Sequence, residues 1–222
     1  MSSTEILFYH GWAYDADFWK QKVDPKFNVS FFDRGYFAHP NEELSFSSLA
    51  MRKVIVAHSL GLHFVPEKLL HEADQILCFG CFSHFHPLDK FREKLSRRTL
   101  NLMCKQFEKD PQRVLETFWL NAGSKSLERR KWNLETLWED LKYLDTSFRD
   151  FSAFKGKVKC FYGLNDRILE RGSAENLAKQ TASTLLVKVD DKEHVPQTIS
   201  FLSPDDSLGA LESTNKSSGL IL

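Results

Sequence analysis

Four short stretches carry side chains that could do chemistry together. Val54-Ile55-Val56-Ala57-His58-Ser59-Leu60-Gly61 is a β-branched run that ends at a serine, with a glycine two residues on. A strand, a sharp turn and a helix over these residues would hold Ser59 on a strained elbow, its hydroxyl in a cleft and the Leu60 N–H aimed at an oxyanion. Ala57 stands where that pattern has its first glycine, and alanine is still small. His10-Gly11-Trp12 follows another apolar run. A glycine there lets the chain fold under a substrate, so the Trp12 N–H can be a second donor. Two donors aimed at one oxygen stabilise the charge that develops in acyl transfer. Tyr162-Gly163-Leu164-Asn165-Asp166 places Asp166 just past a third run, where a carboxylate can orient a histidine, although Asp166 and Asn165 are equally good turn formers. Asp191-Lys192-Glu193-His194-Val195-Pro196 puts His194 after the last run, where a general base must sit to reach the serine. Each stretch alone also reads as an ordinary turn. Together they read as a serine nucleophile, its base and the carboxylate that orients it.

Such residues need a scaffold, and the apolar runs describe one. They fall at residues 6–9, 29–32, 54–57, 76–79, 158–162 and 185–189, most of them β-branched or aromatic. Continuous runs rather than alternations predict strands buried on both faces. Helical patterns lie between them at 15–23, 60–70 and 173–179. Strand, helix, strand is the pattern of a mostly parallel sheet of about six strands, flanked by helices. Between residues 83 and 154 the alternation stops. Leu134, Leu137, Trp138, Leu141 and Leu144 keep helical spacing. Phe91 with Leu95, and Val114-Leu115 with Phe118-Trp119, suggest two more helices, and Asp110-Pro111 is a helix start. The expected organisation is an α/β core of residues 1–82 and 155–202, a helical cap or lid of 83–154, and a polar tail of 203–222 that is weakly ordered.

Composition narrows the classes. The chain has 222 residues, 30 Lys and Arg against 30 Asp and Glu, and 42% hydrophobic residues including 19 Phe. A chain this aromatic folds, and a zero balance argues against a nucleic-acid binder. The start lacks a basic leader and no apolar stretch is long enough to span a bilayer, so a cytoplasmic protein with no membrane partner is expected. Cys78-Phe79-Gly80-Cys81 lacks the second pair that a zinc site needs, so packing is its reading and no metal is expected. No G-x-G-x-x-G follows a strand, which removes a dinucleotide binder. Of the remaining histidines, His84 and His86 sit in a loop at the cap entrance.

The chain order Ser59, Asp166, His194 is that of the α/β-hydrolases, and the chain resembles that superfamily over most of residues 5–200. Within it the likeness is to the pimeloyl-[acyl-carrier protein] methyl ester esterases of biotin synthesis. It is carried by His10-Gly11-Trp12 with Phe18-Trp19, by Ser59-Leu60-Gly61, by Tyr162-Gly163-Leu164-Asn165-Asp166 and by His194. Looser matches are Phe82-Ser83, Phe118-Trp119-Leu120-Asn121-Ala122-Gly123 and Leu141-Lys142-Tyr143-Leu144-Asp145 leading into Phe151. Asp33-Arg34-Gly35-Tyr36 keeps the acid and glycine of that family's D-x-x-G loop in shortened form. The resemblance implies that Ser59 attacks an ester carbonyl, His194 moves the proton, Asp166 holds His194, and Trp12 and Leu60 N–H groups bind the oxyanion, with no cofactor. It also implies that Trp12, Leu60, Phe118, Trp119, Leu120, Asn121 and Ala122 line the acyl pocket. A general short-chain carboxylesterase or thioesterase keeps the same chemistry. A non-catalytic binding module on the same fold is the alternative from another class.

Residues 90–131 hold 12 Lys and Arg against five Asp and Glu, so the expected cap is basic and the rest acidic. A basic lid suits an acidic acyl-carrier protein, with Arg97, Arg98, Arg129, Arg130 and Lys131 as its expected contacts. Solvated helix faces are the plain alternative.

Overall fold

A computed structural model describes residues 4–37, 39–41, 43–124, 131–181, 184–189, 194 and 196. Among these residues six strands, β1 (Thr4–Tyr9), β2 (Asn28–Phe31), β3 (Arg52–His58), β4 (Gln75–Phe79), β5 (Lys157–Gly163) and β6 (Thr184–Val189), form one sheet in the order β2-β1-β3-β4-β5-β6. Every pairing is parallel, with Leu7 beside Ile55, Ala57 beside Cys78 and Cys78 beside Cys160. Successive side chains point to opposite faces. Ile6, Phe8, Val54, Val56, Leu77 and Phe79 therefore join one core, and Leu7, Tyr9, Ile55, Ile76, Cys78 and Cys160 the other. Two buried faces explain why the strands read as apolar runs.

The helices depart from the sequence reading in instructive ways. The pattern at 60–70 is two helices, α2 (Gly61–Phe64) and α3 (Glu67–Glu72). Pro66 forces the residue before it out of the helical region, and Val65 is extended with ψ 122°. The pattern at 15–23 reduces to the single turn α1 (Asp17–Lys20). Between β4 and β5 lie α4 (Lys90–Phe107), α5 (Pro111–Asn121) and α6 (Leu134–Tyr143), and α7 (Arg171–Lys179) precedes β6. Asp89, Asp110 and Asn133 cap the three inserted helices, accepting from the N–H groups of Arg92, Arg113 and Thr136. On α4 the apolar pair that suggested the helix is not the pair that is buried. Phe91 is 71% exposed and Leu95 48%, while Leu100 and Phe107 face the core.

The inserted helices are tied to the loops beyond β1 and β2. Trp12 donates its indole N–H to Leu137 O (2.8 Å), and Trp119 donates its own to Ala13 O (2.9 Å). Arg34 forks onto Asp140 at 2.7 and 3.0 Å, and the Tyr36 hydroxyl donates to the same carboxylate at 2.7 Å. Asp33 accepts from the N–H of Gly35 and of Ala16, which holds this short turn with Gly35 at φ +85°. Among the described residues no helix is long and apolar enough to cross a membrane.

Candidate active site

Strand β3 ends at His58, and Ser59 follows with φ +52°, a left-handed conformation that a serine adopts only under constraint. The Ser59 N–H donates to Phe79 O (2.9 Å) on the neighbouring strand. Two glycines supply the space. A Cβ on Gly61 would lie 2.5 Å from His10 O, and one on Gly11 would lie 2.9 Å from the Ser59 Cβ. The loop after β1 thus presses directly on the turn that carries Ser59. Ala57 is fully buried between Tyr9 and Cys78, so its methyl fits where the usual elbow has glycine. Among the described residues, no hydrogen bond takes the backbone N–H of Trp12 or Leu60.

Beyond β5, Asp166 receives the N–H groups of Ile168 (2.8 Å) and Leu169 (2.9 Å) on one oxygen. Its other oxygen lies 2.8 Å from His194 Nδ1. Burial pushes the Asp166 carboxyl upward, but His194 and the two N–H groups outweigh it and leave it below the ordinary carboxylate value. A carboxylate that stays ionised accepts the Nδ1 proton and leaves Nε2 as the basic nitrogen. That Nε2 is buried, and among the described residues it has no hydrogen-bond partner, Ser59 Oγ included. The His194 ring sits against Gly80 (φ +54°), where a Cβ would lie 3.0 Å from Cε1 and Nδ1. It also packs 4.9 Å from the ring of His58. Burial, and then the nearness of His194, hold His58 well below the usual histidine range, so His58 is neutral.

A cavity of about 850 Å³ opens over Ser59, lined by Trp12, Leu60, Leu100, Met103, Phe118 and Leu144 among others. Of the residues expected at an acyl pocket, Trp12, Leu60, Phe118 and Asn121 line this cavity. Trp119, Leu120 and Ala122 do not. Helix α5 turns Val114, Thr117, Phe118 and Asn121 toward the cavity, the i, i+3, i+4, i+7 stripe of one face. Trp119 is spent on Ala13 O, Ala122 is in the core, and Leu120 is 73% exposed. A contiguous stretch was expected where a helical stripe is found. That stripe is the signal for Val114 and Thr117, while Leu100 and Met103 reach the cavity from α4.

The basic residues also sort themselves. Arg97 is paired with Glu93 (2.9 Å) and Asp145 (2.7 Å), Arg98 and Lys131 are exposed, and Arg129 and Arg130 lie outside the described residues. Arg92, Lys109, Arg113 and Arg167 line the cavity, together with Asp110 and Glu170. Cys78, Cys81 and Cys160 are buried thiols, and Cys81 donates to Ala57 O. Among the described residues no group of three or more His, Cys, Asp or Glu is arranged to hold a metal ion.

Solved structures share this architecture. An esterase (EaEST) from Exiguobacterium antarcticum is similar over 87% of this chain and 85% of its own, with TM-score 0.69 and 12% identity. An epoxide hydrolase from Bacillus megaterium, in complex with an inhibitor, is similar over 87% of this chain and 88% of its own, with TM-score 0.61 and 15% identity. A thermophilic esterase from Thermogutta terrifontis covers 88% of this chain and 84% of its own, with TM-score 0.58 and 13% identity. The chain therefore has the α/β-hydrolase fold. No protein-family model and no curated protein matches its sequence.

Proposed function

We propose that the chain is a serine hydrolase that cleaves a carboxylic ester through an acyl-enzyme. The observation that carries this reading is Ser59 at φ +52° in the wall of the cavity, with a buried His194 held by Asp166 at 2.8 Å on the neighbouring loops. Ser59 Oγ attacks the ester carbonyl as His194 Nε2 takes its proton. The N–H groups of Trp12 and Leu60 receive the charge that develops on the carbonyl oxygen. His194 returns the proton to the leaving alcohol, and water then repeats the sequence on the acyl-enzyme. Asp166 keeps the proton of the resting imidazole on Nδ1 and stabilises the imidazolium between steps.

The substrate we assign is the methyl ester of a pimeloyl group on acyl-carrier protein, a step of biotin synthesis in the cytoplasm. The sequence resemblance supports it, as does the apolar wall of Leu100, Met103, Phe118 and Leu144, which suits a medium-length acyl chain. Lys109, Arg113 and Arg167 at the cavity, with exposed Arg98 and Lys131, suit an acidic carrier, while Arg92 is paired with Glu170 at 3.0 Å. The deciding experiment measures demethylation of pimeloyl methyl ester on acyl-carrier protein beside hydrolysis of p-nitrophenyl butyrate, with Ser59→Ala as control. Carrier-ester turnover that falls with rising salt, while small-ester turnover does not, is the expected result. Turnover of small esters alone would make the protein a general carboxylesterase or thioesterase. Turnover of neither would leave a binding module.

A further inference from the structure

A second Ser–His–Asp chain reaches the cavity that Ser59 lines, and the proposed ester cleavage makes no use of it. Ser96, on α4, lines the cavity. Its Oγ lies 2.8 Å from His86 Nδ1, and His86 Nε2 lies 3.1 Å from Asp145 Oδ1. The same Asp145 oxygen receives Arg97 at 2.7 Å, and that guanidinium also reaches the Asp145 carbonyl (2.9 Å) and Glu93 (2.9 Å). These contacts dictate the direction of each bond. An Asp145 oxygen already gripped by a guanidinium is an ionised acceptor, so His86 Nε2 must carry the hydrogen. The His86 side chain is fully buried, and burial disfavours its charged form. Nδ1 of the neutral ring is then an acceptor, and the Ser96 hydroxyl must spend its proton on it. What Ser96 then has left to offer a bound group is the lone pairs of its oxygen.

We propose that Ser96, set by His86 and Asp145, is a hydrogen-bond-accepting subsite that holds an O–H or N–H donor on the chain of the bound substrate. Leu100 and Met103, one and two turns further along α4, line the same wall with apolar side chains, so Ser96 is a polar point on an apolar helix face. It is not a second nucleophile. Ser96 lies inside α4, where the neighbouring backbone N–H groups are spent within the helix and none is left for an oxyanion. A site built to hydrogen-bond one group discriminates against the analogue that lacks it. The subsite deepens the ester-hydrolase reading and rests on it for calling the bound molecule a substrate.

The test uses p-nitrophenyl esters of ω-hydroxy acids of six to nine carbons, each beside the ester with a methyl in place of the terminal hydroxyl. For at least one chain length the native protein should favour the hydroxyl member in kcat/KM by about tenfold, mainly through KM. Ser96→Ala should bring that ratio to about one. His86→Leu should do the same with Ser96 still present, and His86→Asn, whose Oδ1 can stand where Nδ1 stood, should restore most of it. A ratio near one in the native protein at every length, or a preference that survives Ser96→Ala, overturns the subsite. The matching pairs of unreactive methyl ketones, titrated calorimetrically, separate the two readings. Ser96-dependent preference for the hydroxy ketone without turnover of any ester would leave the subsite standing and the hydrolase reading refuted. No preference in either assay refutes the subsite alone, whether or not esters turn over.

Discussion

Trp12 and Leu137 are joined by a hydrogen bond of 2.8 Å that runs from the indole of one to the backbone carbonyl of the other, 125 residues away. Trp119 returns the arrangement, donating to Ala13 O from the inserted helices. Ala13 has φ +58°, a conformation that costs an alanine about 1 kcal/mol or more. The Trp119 bond is one of the contacts that hold it there, next to the Trp12 N–H assigned to the oxyanion. Trp119→Phe should therefore lower kcat on p-nitrophenyl butyrate by about tenfold and stability by about 1–3 kcal/mol. Adding Ala13→Gly should recover part of the activity, since glycine takes positive φ without strain. Stopped assays and urea unfolding of the single and double variants check this. Equal kcat in Trp119→Phe and the parent would show that the indole bond does not shape the oxyanion loop.

Asp166→Asn keeps the size of the side chain but offers His194 an amide in place of a carboxylate. The ring can then adopt the tautomer whose Nε2 carries the hydrogen and cannot accept one from Ser59. The loss in kcat should be about 10³- to 10⁴-fold with KM little changed. Steady-state kinetics of the purified variant, with near-ultraviolet circular dichroism to show an intact fold, measures it. A loss below tenfold would remove Asp166 from the site.

Gly80 is the residue that lets His194 into position. An alanine there would be strained at φ +54° and would press its Cβ to 3.0 Å from the imidazole. Gly80→Ala should cost about 1–2 kcal/mol in stability and displace the ring, with kcat falling more steeply than the stability loss alone explains. Wild-type kcat in this variant would refute the contact.

Acid should unfold this protein through its histidines. Burial holds His10 and His58 below the ordinary value of 6.5, and holds His63 down to about 4. As pH falls below 6.5 the unfolded chain takes up protons that the folded chain refuses, so stability is full above 6.5 and declines between 6.5 and about 4. Asp166, held below its usual value, adds a further loss at lower pH still. Thermal midpoints between pH 4 and 8 give the profile. His63→Gln should flatten the decline between pH 6 and 4. An unchanged profile in that variant would exclude His63 as a source.

The six strands and the turn at Ser59 were readable because each rests on local rules: apolar runs, a β-branched strand, and small residues where the chain must pass close. The inserted helices were readable by spacing, and α5 also by its Asp110-Pro111 start. The break at Val65-Pro66 was not read: the apolar run across it hid the proline's effect on its neighbour. The cavity wall was harder. A stretch of sequence such as 118–122 says nothing about which way its helix faces until the helix is packed, and here the packing spent Trp119 on Ala13. Gly80 looked like part of a Cys-x-x-Cys run, because its partner, His194, lies 114 residues further on. Contacts of that span are tertiary and leave no local trace.

A sheet whose strands all run one way has two unlike ends. The turns that carry Trp12, Ser59, Gly80 and Asp166 all follow strands. The turns that precede strands, around residues 24–27, 47–51 and 155–156, hold none of the groups discussed above. That blunt end is a handle. A fluorophore, an affinity tag or a surface tether fixed there leaves the chemistry facing outward, so the protein can be immobilised or labelled with its working edge free.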